Sequence, residues 1–294
     1  MNLFASFHNE QGRKFLDQGV LEKAEAAFRK SLDLSPNSSA TWYNLGLVYK
    51  KQRKWNVCLE CNQRATQLNP RDEAALWNLG IAATALSQWN LARHAWKKCG
   101  VEIPDGDGEL TMDLGPVPIR LNPDDSGEVI WCSRIDPARA IIRGVPLPSS
   151  CHRFGDVLLH DGALNGFRII NGNKIPVFDE LELLEPSKFS TFQVAVTADS
   201  LDDIHALIEL AFQQNMGAED WSTIRPLCKE CSEGTPHEHP EDQFQPQAER
   251  RIGIAAMSEM ELDEILESWL ISHPTARLIS VNCVLKSWND RVGE

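Results

Sequence analysis

Glycine occurs at positions 12, 46 and 80 of this 294-residue chain, and the 34-residue interval is not confined to glycine. Ala24, Cys58 and Ala92 keep it, and so do Pro36, Pro70 and Pro104. The segment WYNLGLVY at Trp42–Tyr49 is echoed by LWNLGIAA at Leu76–Ala83. One interval shared by several residue types marks a supersecondary unit that cannot bury its apolar face alone and stacks on copies of itself. Gly46 and Gly80 let paired helices approach closely. Phe28 and Trp96 fill the space between such helices at equivalent places, and each proline lies beyond a second helix, which it stops. Asn62 stands where Phe28 and Trp96 stand. The middle repeat is therefore expected to pack less tightly there, unless Cys61 and Leu59 compensate.

These residues resemble the tetratricopeptide repeat (TPR), a helix–turn–helix unit. The resemblance covers about the first third of the chain. It implies an α-solenoid of three helix pairs, whose concave face comes mainly from the first helix of each pair. It also implies that this face holds Asn9, Arg13, Tyr43, Asn44, Leu47, Lys50, Trp77, Asn78 and Ile81. Rings beside amides suit an extended peptide, the rings taking side chains and the amides taking main-chain groups. The competing reading makes Tyr43 and Trp77 core residues, or has the acidic half of the chain cover them. One TPR subclass grips the terminal carboxylate of chaperone tails. Asn44 matches a clamp asparagine, but Ala74 and Asn78 stand where basic residues are wanted, and Asn9 where a lysine is wanted. A chaperone-tail clamp is therefore not expected.

Charge separates the two ends of the chain. Residues 1–108 carry 14 Lys+Arg against 11 Asp+Glu, a net +3, whereas residues 109–294 carry 15 against 31, a net −16. A region of that sign repels phosphate backbones, which argues against a nucleic acid as the main partner. The opening MNLFASFHNEQGRKF has no basic stretch leading into a long apolar core, and no segment approaches a membrane span. The expectation is a cytoplasmic protein, of bacterial type, without membrane contact. Eight cysteines in a chain of this length do not make a secreted disulfide framework. Cys58, Cys61, Cys99, Cys132 and Cys283 read as small buried apolar residues of helices and strands.

Composition and patterning divide the chain into residues 1–106, a TPR-like helical domain; 107–187, a β-rich domain; and 188–294, an α+β domain. The segment Val101–Pro118 is rich in Gly, Pro and Asp and reads as a linker. Beyond it, GEVIWCSRI and ARAIIRGVPL flank a DPAR turn, GDVLLHDG is a strand between glycine turns, and FRIINGNKIPVF is a hairpin built on Asn171–Gly172. These short antiparallel strands imply a small barrel or curled sheet. The end of the chain reads strand, helix, long insert, strand, helix, strand, an α+β layer of βαβαβ type. Its first helix carries the stripe Leu201, Ile204, Leu207, Ile208, Ala211 and Phe212, capped by Ser200 and ended by Gly217. Its second carries Leu262, Ile265, Leu266, Trp269 and Leu270 behind a Ser258/Glu261 capping box.

The insert, at about 218–249, contains CKECSEGTPHEH. A structureless connection of that length needs something other than a core to order it. Cys228 and Cys231 have the spacing at which two thiolates bind one ion, and His237 and His239 lie on one side of an extended segment. Together they offer two sulfur and two nitrogen donors, a tetrahedral set that suits Zn²⁺ in a structural role. A polar loop with free thiols and a redox CxxC are the alternatives. If one histidine falls short, Cys151, His152 or His160 is available to complete the set. Cys151–His152 and His160–Asp161 are also the candidates for nucleophile or base chemistry, although neighbours on a strand face opposite ways.

The chain thus reads as an interaction or adaptor protein whose TPR-like groove takes a protein or peptide partner, with a structural zinc in its acidic half and no reaction implied. One alternative is a zinc-dependent hydrolase or deaminase using Glu230, Glu233 or Glu238 as base. Another is an immunity-type inhibitor whose acidic surface blocks a basic partner.

Overall fold

The computed structural model describes residues 2–125, 127–170, 173–222 and 248–288. These residues form an α+β chain that divides into two compact units. One comprises Met1–Met112 with the tripeptide Asp136–Ala138, and the other comprises Asp113–Ile135 with Arg139–Glu294.

The first unit holds six helices: α1 (Leu3–Asp17), α2 (Leu21–Leu34), α3 (Ser39–Lys51), α4 (Trp55–Leu68), α5 (Glu73–Ala85) and α6 (Trp89–Lys98). The second helices of the pairs begin at Leu21, Trp55 and Trp89, so the 34-residue interval sets helix starts as well as residue types. Ser38 and Asp72, also 34 apart, cap α3 and α5 by accepting from the amides of Thr41 and Ala75. Within each pair the turn passes through one left-handed residue: Gly19 (φ 73°), Arg53 (φ 55°) and Ser87 (φ 54°). Only the first of these is the residue type that adopts this conformation without steric cost.

The three glycines do what their spacing implies. A Cβ at Gly12 would lie 2.6 Å from the Phe28 ring, one at Gly80 2.5 Å from the Trp96 ring, and one at Gly46 2.6 Å from Asn62 Nδ2. The middle repeat is therefore not loosely packed at this place. Asn62 is fully buried, fills the same slot as the two aromatic rings, and donates Nδ2 to the Cys58 carbonyl at 2.8 Å. Its Oδ1 is buried without a hydrogen-bond partner. Between repeats, Tyr49 on α3 donates to Glu25 Oε1 (2.8 Å) and accepts from Arg29 Nη2 (2.6 Å), both on α2. Burial and the Glu25 carboxylate together push the Tyr49 phenol up to about 12.

The supposed linker is partly structural. Ile103 and Leu110 are buried. The Arg93 guanidinium on α6 donates to the carbonyls of Pro104 (2.6 Å), Gly108 (3.1 Å) and Glu109 (3.3 Å), which folds this acidic turn onto the last helix. Lys97 adds an ion pair to Asp105 at 2.7 Å.

In the second unit, β1 (Pro116–Arg120), β2 (Val129–Arg134), β3 (Arg139–Ile142), β4 (Val157–Ile170) and β5 (Asn173–Glu185) form a closed meander barrel. The parallel pairing of Ile119 with Phe178 and of Arg120 with Asp179 closes it. Alternate residues Val117, Ile119 and Leu121, then Ile130 and Cys132, then Ala140 and Ile142, fill its core. The expected glycine turn at 162 is instead part of one long irregular strand. β4 runs through Gly162 and Gly166, with register shifts between His160 and Phe167 and a positive φ at Gly166. The hairpin pairing reaches Ile170 and Asn173, while the turn residues Asn171 and Gly172 lie outside the described residues.

After the barrel come β6 (Ser190–Thr197), α7 (Leu201–Gln213), β7 (Gly217–Asp220), β8 (Arg250–Ala256), α8 (Glu259–Ser272) and β9 (Arg277–Leu285). The sheet order β7-β8-β6-β9, with all neighbours antiparallel, is a split βαβ arrangement: β6-α7-β7 interlocked with β8-α8-β9. Phe192, Val194 and Val196 of β6 meet Ile204, Leu207 and Ala211 of α7 and Leu262, Ile265, Leu266 and Trp269 of α8.

Three expectations need correcting here. Gly217 does not end α7. The reversal is made at Asn215 (φ 58°), and Gly217 opens β7, whose four residues are too few to show an alternation. Leu201 and Phe212 are exposed, so the buried stripe of α7 is narrower than its apolar pattern. Cys283 is exposed on the edge strand β9, and Cys99 is only half-buried.

Candidate functional site

In the first unit, the first helix of each pair carries polar side chains that reach the next pair. Asn44 Nδ2 on α3 donates to Asn9 Oδ1 on α1 at 3.1 Å. Lys50 Nζ on α3 donates to Asn78 Oδ1 on α5 at 3.0 Å, and both of these residues are buried. Asn9 and Asn44 are thus cross-linked, as are Lys50 and Asn78. Arg13 is exposed and pairs with Glu10 at 3.3 Å. Tyr43 and Leu47 are half-buried. Trp77 is half-buried as well and stands edge-on to Trp96, with ring centroids 5.0 Å apart. Ile81 is fully buried. The nine positions implied by the resemblance therefore divide into accessible ones (Asn9, Arg13, Tyr43, Asn44, Leu47), the buried Lys50, Asn78 and Ile81, and Trp77, which is half core.

Residues 12–52, spanning most of the first helix pair and the whole of α3, match a family model described as TPR repeat. The N-terminal third is similar to TPR repeats. Solved structures similar to this TPR-like region include three TPR domains, each covering 33% of this chain with a TM-score of 0.32. The first TPR of Spaghetti (RPAP3) bound to the HSP90 peptide SRMEEVD shares 24% identity over 76% of that chain. The TPR2B domain of yeast Sti1 in a pHsp70 complex shares 13% over 78%. The Sgt2 TPR domain from Aspergillus fumigatus shares 18% over 65%. No curated protein matches the chain.

In the second unit, neither adjacent pair of sequence candidates, Cys151–His152 or His160–Asp161, forms a catalytic dyad. Cys151 is exposed, with φ 61°, at the end of a short 3-10 turn, while His152 is buried behind it. His152 Nε2 lies 3.1 Å from Glu180 Oε1 and its Nδ1 lies 3.5 Å from Asp156 Oδ2, the longer distance being an ion-pair contact rather than an aligned hydrogen bond. Burial alone would lower the pKa of His152. The two carboxylates outweigh it and raise the imidazole to about 9. Asp156 also accepts from the amides of Arg153 (2.9 Å) and Ser187 (2.7 Å). The imidazolium is thus a buried clasp for the 150–156 loop and is not aligned to activate the neighbouring thiol. The second pair is likewise not a dyad. His160 is completely buried, its pKa falls to about 4 because burial disfavours the cation, and Nδ1 faces the Asp161 carbonyl at 2.8 Å rather than the carboxylate.

Local sequence could not reveal a second carboxylate cluster. Glu128 accepts from the Leu147 amide at 3.1 Å with both oxygens, and Glu219 on β7 accepts from the Val145 amide at 3.0 Å. Trp221 donates Nε1 to the Val145 carbonyl at 2.9 Å. These contacts fix the 145–147 loop. Burial, with Glu219 adding like charge, raises Glu128 to about 7.

Cys228, Cys231, His237 and His239 lie outside the described residues. Among the described residues no three His, Cys, Asp or Glu side chains are placed to hold a metal ion. Among them, too, no helix is long and apolar enough to cross a membrane.

Proposed function

We propose that the chain is an interaction protein whose TPR-like array binds an extended peptide of a partner protein. The observation that carries this reading is the set of amides on successive first helices. Asn9 and Asn44 are held within 3.1 Å of each other beside the half-buried Tyr43, and side-chain amides so fixed suit the main chain of an extended ligand. Lys50, held on Asn78, ties α3 to α5 deeper in the same row of helices. The test is selection from a library of displayed random peptides on the full chain. A converged peptide family whose binding falls at least about tenfold in Asn44→Ala supports the reading, because the loss of one anchoring contact costs on that order. Peptides that bind the variant equally well would remove it.

In the same proposal, Cys228, Cys231, His237 and His239 hold a structural Zn²⁺. The support is the chemistry of the donor set, two thiolates and two imidazoles in a segment with almost no apolar residues. Metal analysis of the purified chain tests it directly.

A further inference from the structure

Three side chains on α1 are out of keeping with their counterparts. Phe7, Gln11 and Phe15 are in register with Thr41, Leu45 and Tyr49 on α3 and with Ala75, Leu79 and Ala83 on α5, at intervals of 34. The six counterparts are all buried. On α3 they face the preceding helix: Thr41 lies 3.4 Å from Ser31 and Tyr49 bonds Glu25 and Arg29, all three on α2. The same face of α1 carries Phe4, 74% exposed, and Phe7, 63% exposed, with Phe15 half-buried. An exposed helix face of a solenoid is ordinarily polar. This one turns out a row of phenylalanines at helical spacing, with Leu3, 83% exposed, beside it.

We propose that this outer face of α1 is a docking site for an amphipathic helix of a partner protein, which takes toward α1 the place that α2 takes toward α3. The register of the array specifies the shape of that helix. The residue facing Thr41 is Ser31, and its equivalent on α4 is the fully buried Ala65, so the incoming helix presents a small residue to Phe7. Charge specifies a second position. Lys23 Nζ stands 5.7 Å from the centre of the Phe15 ring, where an acidic residue in the place of Glu25 would meet a cation. A second copy of this chain is a poor occupant. The face of α2 is used by α3, that of α4 by α5, and α6 is held by the 104–109 turn through Arg93. The site is separate from the amide-bearing face, so the chain would hold two partner segments at once, one extended and one helical.

The test uses a hydrocarbon-stapled, fluorescent peptide with the sequence of α2, residues 21–34, titrated with the full chain. Saturable binding is expected. Phe7→Asp should weaken it about tenfold or more, as loss of a central aromatic anchor does. Asn44→Ala should leave it unchanged, which separates this site from the peptide-binding face. Because Phe7 is largely exposed, Phe7→Asp should melt as the parent does, and Phe7→Ala gives an intermediate loss of binding. The proposal is overturned if the α2 peptide and a matching α4 peptide both fail to bind, or if Phe7→Asp has no effect. It is also overturned if sedimentation shows the chain self-associating through a contact that Phe7→Asp breaks.

Discussion

Replacing Gly80 by alanine sets two opposed effects against each other, and the structure decides between them. In an ordinary helix interior, alanine in place of glycine gains about 1 kcal/mol. Here the new Cβ would stand 2.5 Å from the Trp96 ring, about 1 Å inside ordinary carbon–carbon contact. Trp96 is fully buried and edge-on to Trp77, so it cannot swing away without disturbing both rings. Overpacking of this kind costs roughly 1–3 kcal/mol, and a net loss of up to about 2 kcal/mol is expected once the propensity gain is set against it. At Gly46 the same Cβ meets the Asn62 amide, a smaller group whose displacement costs one hydrogen bond to Cys58, about 1 kcal/mol. Gly46→Ala should therefore come out near neutral. Hydrogen exchange followed by mass spectrometry reads each helix pair separately, which matters in a chain of two units. Peptides covering α5 and α6 should exchange about tenfold faster in Gly80→Ala, with little change across α3 and α4 in Gly46→Ala. Slower exchange in Gly80→Ala would show that propensity wins and that the ring–backbone contact does not set the spacing of the pair.

Four other outcomes follow. His152 has a folded pKa raised above its ordinary value, so its contribution is complete below about pH 6.5 and lost as the pH rises through about 9; urea titrations of the chain should show that decline, and His152→Gln should flatten it. Glu128 is a carboxyl raised to about 7, so its contribution is present below about pH 4.5 and lost as the pH rises through 7; Glu128→Gln should remove this lower window and leave the His152 window in place. Arg53→Gly relieves a left-handed residue and should raise the melting temperature by up to about 4 °C, the net of about 1–2 kcal/mol of steric relief and the greater entropy of glycine. For the proposed zinc, one metal ion per chain should be found by elemental analysis, and Cys228→Ser should lose it with a lower melting temperature; metal-free protein as purified would remove the site.

Much of the first unit was legible because stacking imposes one interval on everything. The 34-residue spacing that aligns Gly12, Gly46 and Gly80 also aligns helix starts and left-handed turns. Asn62 misled because polarity reads as loose packing, whereas its amide fills the slot beside Gly46 and satisfies Nδ2 within its own helix. The β2–β3 strands were legible as the runs GEVIWCSRI and ARAIIRGVPL around a DPAR turn, but β1 was not, because Val117 lies in the Gly-, Pro- and Asp-rich stretch that reads as a linker, and neither was the length of β4. Glycines 162 and 166 signal a turn or a bulge equally well, and pairing with β5 selects the bulge. β7 escaped because four residues cannot establish a period. The His152 clasp escaped for a different reason: Asp156 is local, but Glu180 comes from β5, and no local pattern announces a partner from another strand.

The central claim is that the TPR-like array holds an extended peptide against the amides of its first helices. Isothermal titration of a peptide selected on the full chain, compared between the parent and Asn44→Ala, tests it most directly. One-to-one binding that weakens about tenfold or more in the variant, with the melting temperature lowered by no more than about 4 °C for the lost Asn44–Asn9 bond, is the predicted result. Equal affinity for parent and variant would contradict the account.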